Sequence, residues 1–307
     1  MAHNQSSSLP PLDVQRAPEG GEVGAIQSGW RLALREFASN RLAVIGFAIL
    51  IFFVLFSFVG PLIYHTNQLD TNLTSANLPP SGAHLLGTDT NGFDELGRTM
   101  KGGQAALEIG FFAAAVAIVI GTLWGAVSGL IGGIVDSAMM RVVDIFLSVP
   151  FLFVVLILAV KFGASVLSLS LVIGGFAWQV PARLVRGEVL SLRERDFVHA
   201  ARTAGAGNWR LITRHLIPNA LGVVIVNVTF QVADAILAVS YVGFLGFGLH
   251  FPNVDWGDQL SSGSEYLQDG YWWLIYPVGA CIVLTVMALN FIGDALRDAL
   301  DVRLRRR

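Results

Sequence analysis

Residues 216–254 read LIPNALGVVIVNVTFQVADAILAVSYVGFLGFGLHFPNV, and how often this stretch crosses a bilayer decides the architecture. Its single charged residue is Asp234. A spanning helix needs about 20 apolar residues, because lipid offers no partner for backbone N–H and C=O groups. The stretch is long enough for hydropathy to cut it into two spans. The flanking charge settles the count. Residues 183–214 carry arginines at 183, 186, 193, 195, 202, 210 and 214; Arg303, Arg305, Arg306 and Arg307 close the chain, and Arg31, Arg35 and Arg41 approach the first apolar run. Basic residues concentrate on the cytoplasmic side, so an even number of crossings must follow Ala182. One span within 216–238 and one at 270–293 satisfies this. Residues 239–254 are then a glycine-rich, non-crossing element at the outer surface.

Working outward, Leu42–Ile63 and Ile109–Val135 contain no charge and are long enough to span. Ile145–Val160 reaches span length if it starts within 136–144, and Phe162–Ala182 is a fourth span. The expected fold is all-α and integral to the membrane, with six transmembrane helices and both termini in the cytoplasm. Of the 20 basic residues only Arg98, Lys101 and Lys161 then lie outside, with outer loops at 64–104 and 249–269. The cell membrane of a bacterium is the expected location. Composition agrees: 14% of residues are charged and the mean hydropathy is +0.62, against about 25% charged in soluble domains. Residues 1–28 are Ser-, Pro- and Gly-rich with no apolar core of a signal peptide, which predicts a disordered tail. The segments are a tail at 1–39, a first span with its outer loop at 40–104, a five-helix core at 105–298 holding a cytoplasmic loop at about 183–215, and a tail at 299–307.

The cytoplasmic loop is richer than a simple connection. Ser191 and Glu194 form a capping-box pattern that predicts a short helix running to about Thr203. Ala204-Gly205-Ala206-Gly207 permits a sharp turn, and Asn208 can cap a second short helix through His215 that Pro218 closes off. Small residues (Ala200, Ala201, Gly205) sit at the elbow. This shape fits insertion into a groove of another protein, a self-packed surface hairpin, or a DNA-type helix–turn–helix. A net charge of −2 gives no reason to expect nucleic acid.

Asn227, Gln231 and Asp234 fall at i, i+4 and i+7 of the fifth span and share one face. A mid-membrane carboxylate costs roughly 2.5–3.5 kcal/mol on insertion scales, which disfavours a lipid-facing position. The stripe either fixes helix packing, at a seam with a partner, or lines a water-filled passage. Among bland assignments, the glycines of 121–133 and 243–248 predict close helix packing. No lysine adjoins them, so they do not cradle phosphate. The six histidines show no metal-ligand spacing, and Cys281 stands alone in an apolar run. Trp272 and Trp273 are expected as interfacial anchors of the last span, and the terminal arginines as contacts to anionic lipid. An ion-coupled transporter predicts inverted repeats and several buried charges, and a membrane enzyme a catalytic motif; neither is present in the sequence.

The loop motif Asp196-Phe197-Val198-His199-Ala200-Ala201-Arg202-Thr203-Ala204-Gly205-Ala206, with Ile212, His215, Leu216, Pro218 and Asn219, resembles the EAA coupling loop of ABC importer permeases. His199 stands at the position of the usual Glu. Further segments resemble the dipeptide/oligopeptide branch, which also has nickel importers: His84-Leu85-Leu86-Gly87-Thr88-Asp89 with Leu96-Gly97-Arg98; Gly132-Gly133 with Asp136, Met140-Arg141 and Asp144; Phe244 to Gly248 with Trp256-Gly257, where Gly243 replaces a Ser; and Asn290, Gly293-Asp294, Leu296-Arg297-Asp298 and Leu300-Asp301. The resemblance spans about 30–303, in order. It implies the type I ABC importer permease fold and the C-type subunit of a permease heterodimer. It also implies two ATPase subunits, or one fused ATPase, and an extracytoplasmic substrate-binding protein. In such a complex His199, Ala200, Ala201, Gly205, Ala206, Ile212 and Pro218 would form the ATPase-coupling loop. ATP and Mg would sit on the ATPases, and this chain would hold no cofactor and no catalytic residue. Dipeptides or oligopeptides are the implied cargo, with nickel, haem or another small solute as the alternative.

Overall fold

The computed structural model describes residues 37–305, with side chains to residue 300. The tail expected over 1–28, Arg31, Arg35 and the last two arginines lie outside the described residues. Among the described residues every regular element is helical, apart from one isolated bridge between Thr88 and Asp94.

Helix α1 (Arg41–Phe58) starts where Asn40 accepts the backbone N–H groups of Leu42 and Ala43, at 3.0 and 3.3 Å. It is apolar all round, and Leu42, Phe47, Phe52 and Leu55 remain exposed, as a lipid-facing surface requires. Its inner side meets the last helix at Gly46, where an added Cβ would lie 2.7 Å from the Ala288 carbonyl oxygen. One further turn, Gly60–Ile63, completes the expected first run.

Helix α2 (Glu95–Ile131) is the mast of the bundle. It begins far ahead of the expected Ile109, inside the segment read as outer loop. Glu95, Arg98, Lys101 and Glu108 broke the apolar run, yet Asp94 caps the helix by accepting Gly97 N–H at 2.9 Å. It ends at Gly132 and Gly133, with φ of +70° and +58°. Glycines along it are contact points. Beside Gly121, an added Cβ would meet the Trp178 carbonyl oxygen at 2.7 Å; beside Gly125, the Arg186 amide at 2.8 Å; and beside Gly129, the Arg186 carbonyl oxygen at 3.1 Å. This four-residue spacing of small side chains lets two helices approach in lipid, where no hydrophobic force drives association.

The next two spans are bent. Helices α3 (Gly133–Ser148) and α4 (Phe151–Phe162) meet at 81° around Pro150. Helices α5 (Val166–Phe176) and α6 (Gln179–Leu192) meet at 45°. Among the described residues four helical stretches are long and apolar enough to cross a membrane by themselves, 41–58, 95–131, 208–244 and 272–300, and six are when each bent pair is counted as one span. The six-span architecture therefore holds.

Three local expectations are corrected. Ser191 does not cap a helix: it lies in the last turn of α6, and Glu194 pairs with Arg193 at 2.9 Å. The capping box found is Ser165 with Ser168, at the start of α5. Helix α7 (Asp196–Thr203) starts without a side-chain cap, carrying Asp196 in its first turn, where the helix dipole favours an anion. Pro218 does not close a helix either. The short α8 (Asn208–Leu211), capped by Gly207 rather than Asn208, runs through a π-turn at Ile212–Leu216 into α9 (Ile217–Phe244). Pro218 sits in the first turn of α9, where a proline is tolerated, and Asn219 Nδ2 donates to the His215 carbonyl at 2.6 Å. Helix α9 crosses once and overruns the expected end at 238 by six residues.

Helix α10 (Trp256–Ser264) and the final α11 (Tyr276–Arg305) complete the bundle. One end is closed by a cap made of 64–94, α10 and a turn at Trp272–Leu274. Trp256 Nε1 donates to Thr99 O at 2.9 Å, Gln259 Nε2 to Arg98 O at 2.9 Å and Trp273 Nε1 to Thr88 O at 3.3 Å. Trp273 is thus a buried pin of the cap and not an interfacial anchor; Trp272 remains 48% exposed. The 193–216 hairpin lies at the opposite end of α2.

Candidate functional site: the hairpin end and the polar face of α9

The hairpin is built from two apolar contacts and one glycine. Val198, Leu211, Ile212 and Leu216 are buried with Val185 and Val189 of α6 and Leu130 of α2. Helix α7 ends in a Schellman motif: Ala206 N–H donates to Ala201 O at 3.0 Å, and Gly205 N–H to Arg202 O at 2.9 Å. Gly205 has φ +82°, with open space where a Cβ would stand. Ala201 and Ala206 form the half-buried contact that accompanies this turn.

The predicted loop residues therefore divide by face. Ile212 is buried and Ala201 and Ala206 are half-buried, so they hold the hairpin to the bundle. His199, Ala200, Gly205 and Pro218 are exposed. Two exposed aromatic side chains flank them, Phe197 at 39% and Trp209 at 66%, among the exposed Arg195, Arg202 and Arg210. The result is a small-residue elbow, open to solvent, bordered by apolar and cationic groups. Phe197 enters the sequence reading only as part of the loop motif and Trp209 not at all; their signal is two large aromatics in a loop of small and charged residues.

The sequence reading also missed that several of the arginines read as topology signals have structural partners. Arg186 grips Asp136 in a two-pronged pair, Nε to Oδ1 at 2.5 Å and Nη2 to Oδ2 at 2.6 Å, and Ser128 Oγ donates to the same carboxylate. Arg193 Nη1 donates to the Gly129 carbonyl at 3.0 Å, and Arg183 meets Asp144 at 2.5 Å. Planar guanidinium–carboxylate pairing fixes orientation as well as distance. The α2–α3 turn is thereby tied to α6, which carries the hairpin.

The α9 stripe does not act as one surface. Asn227 and Gln231 are buried, at 9% and 5% exposed, while Asp234 is exposed. Gln231 Nε2 reaches the Ala177 carbonyl at 3.4 Å, an oxygen freed by the break between α5 and α6. Only Asp234 reaches the surface of the chain. At the cap end, Asp94 gathers Tyr64 Oη at 2.8 Å and His84 Nδ1 at 2.9 Å, while Asp89 accepts Asn91 and Phe93 N–H groups and meets Arg98 at 3.4 Å. Burial and the Asp94 carboxylate push the Tyr64 hydroxyl above its ordinary value. The His84–Asp89 segment is thus an architectural knot. Among the described residues no three of His, Cys, Asp and Glu come together in a metal-binding group.

Residues 98–306 match the family described as the binding-protein-dependent transport system inner membrane component, and residues 28–80 match the N-terminal transmembrane domain of oligopeptide transport permease C. The chain is 41% identical over 281 residues to the oligopeptide transport system permease protein OppC of Haemophilus influenzae, covering 91% of this chain and 90% of that one. It is 38% identical to the dipeptide transport system permease protein DppC of Bacillus subtilis (89% and 86% covered) and 40% identical to OppC of Escherichia coli K12 (91% and 93%). With six helical spans, an exposed small-residue hairpin and end-to-end similarity of this degree, the chain belongs to the inner membrane component family of binding-protein-dependent transport systems, as a multi-pass permease.

Proposed function

We propose that this chain is one of two permease subunits of an ATP-driven importer of dipeptides or oligopeptides. The observation that carries the reading is the similarity over about nine-tenths of the chain to permeases named for oligopeptide and dipeptide transport. The partners are a second permease, two ATPase subunits or one fused ATPase, and a binding protein outside the membrane. ATP and Mg belong to the ATPases. Both termini and the 193–216 hairpin face the cytoplasm of the bacterial inner membrane, and the cap faces out, in keeping with the arginine distribution.

In this complex the elbow at Ala200 and Gly205 enters a groove of an ATPase subunit, with Trp209 and Phe197 packing at its rim. ATP-driven closure of the ATPases pulls the hairpin, and the arginine ties to Asp136 and Asp144 pass the movement to α3 and α6. Asp234 faces the partner permease or the passage between the two. Affinity purification of the tagged chain from its native membrane tests the assembly. A second permease and a P-loop ATPase should co-purify in fixed ratio. Recovery of the chain alone, or with a soluble enzyme instead, would contradict it.

A further inference from the structure

A cavity of about 460 Å³ opens at the cap end, between residues 66–69, the first turns of α2, Val166 and residues 249–254. Its volume falls in the range of small-molecule sites, about 300–1,000 Å³. Three charged side chains line it: Arg98, Lys101 and Glu108. Arg98 is already matched, by Asp89 at 3.4 Å and by the Phe93 ring at 5.0 Å. Lys101 and Glu108 have neither a hydrogen bond nor an ion pair among the described residues. They stand at i and i+7 of α2, on one face and two turns apart, about 10.5 Å along the axis at 1.5 Å per residue. That spacing is too wide for them to neutralise each other directly.

We infer that this cavity is a receiving site for the two charged ends of a short peptide, with Glu108 taking the ammonium and Lys101 the carboxylate. The inference rests on the reading above that the cargo is a peptide, and it names the part of the cargo this subunit contacts. An extended chain advances about 3.3–3.6 Å per residue, so two or three residues separate charges by about 7–10 Å, a span the flexible Lys and Glu side chains bracket. The wall between them suits a peptide backbone. Gln104 and Asn253 both line the cavity; Gln104 Nε2 donates to Ser57 O at 2.7 Å, while its amide oxygen and the Asn253 side chain have no hydrogen-bond partner among the described residues. Val166, Leu249 and Val254 supply apolar surface for side chains. Leu249 is held in place, since its N–H donates to Asp255 Oδ2 at 2.9 Å. Charged ends, amide and apolar floor in one cavity match a zwitterionic peptide better than a metal ion or a sugar.

The test uses the complete transporter in vesicles, with its binding protein, and three tripeptides of one sequence: unmodified, N-acetylated and C-amidated. Glu108→Gln should lower uptake of the unmodified and C-amidated peptides by at least about tenfold, the worth of one charge-assisted hydrogen bond, and leave N-acetylated uptake at its wild-type value. Lys101→Gln should give the mirror pattern, sparing the C-amidated peptide. Lys101 is exposed and has no partner among the described residues, so this variant decides the matter even if Glu108→Gln assembles poorly. Equal loss for all three peptides in the Lys101 variant, or no loss, would overturn the site; equal loss with weakened capture of the binding protein would assign these charges to docking. A wild-type complex that moves none of the three peptides would overturn the peptide reading itself, and the site with it.

Discussion

At Gly243 the lack of a side chain is what admits Asp255. An added Cβ there would overlap the Asp255 carboxylate, which is fully buried and accepts Leu249 N–H and Asp258 N–H at 2.9 Å each. Gly243→Ala should therefore cost about 1–3 kcal/mol through overpacking, read as a lower melting temperature of the detergent-purified chain. Gly175→Ala, with open space at its Cβ, should leave the temperature unchanged or raise it. Burial pushes the Asp255 carboxyl above its ordinary value, against the opposing pull of its backbone donors. The native state thus holds this proton more tightly than the unfolded chain does. The associated stability is present below the ordinary carboxylate value of about 3.9 and is lost as pH rises through the folded value. Asp255→Asn should flatten that pH dependence of melting; an unchanged slope would assign it to another group. The glycine-rich 243–248 segment was legible as close packing, but its partner was not. A carboxylate twelve residues further on gives no local signal.

Helix boundaries follow the apolar runs wherever the runs are clean, and fail where polar residues are packed. Glu95 to Gln104 read as outer loop because charges and glycines interrupt the pattern, yet Gly102 and Gly103 are helical residues pressed against Trp256. Pro218 read as a stop because a proline breaks an α-helix; the π-turn before it was invisible to pattern. Ser191 matched a capping box by composition while lying at a helix end. A turn within Ala204-Gly205-Ala206-Gly207 is legible in the sequence, and the structure puts the left-handed residue at Gly205, because a turn closing a short helix needs the backbone that glycine alone adopts freely. If this elbow docks in an ATPase groove, Gly205→Trp adds a clash of up to about 3 kcal/mol, roughly a hundredfold in docking affinity. Gly205→Ala adds only local backbone strain of about 1–2 kcal/mol. The expected outcome is that the Trp variant reaches the membrane with its partner permease but no longer couples ATP hydrolysis to the loaded binding protein. The Ala variant should retain most uptake. Full uptake by Gly205→Trp would remove the elbow from the interface.

For the molecule as a whole, six spans were legible from apolar length and arginine placement, because lipid enforces both over long stretches. The ties that bind the hairpin to the bundle were not, since an arginine serving topology and one gripping Asp136 look alike in sequence. The proposed membrane orientation rests on the same arginines. Reporter fusions after Asp258 should mark the outside and fusions after Arg307 the cytoplasm; an outside Arg307 would reverse the assignment of cap and hairpin. If this chain forms part of a peptide passage opened by ATPases that it docks, reconstituted transport depends on it and on ATP. Vesicles containing the chain, its co-purifying permease and ATPases, supplied with binding protein and a labelled tripeptide, should accumulate the peptide only when ATP and Mg reach the ATPase side. Uptake should vanish when this chain is omitted. Accumulation driven by an ion gradient without ATP, or unaltered by leaving this chain out, would show that the chain is not part of an ATP-driven peptide passage.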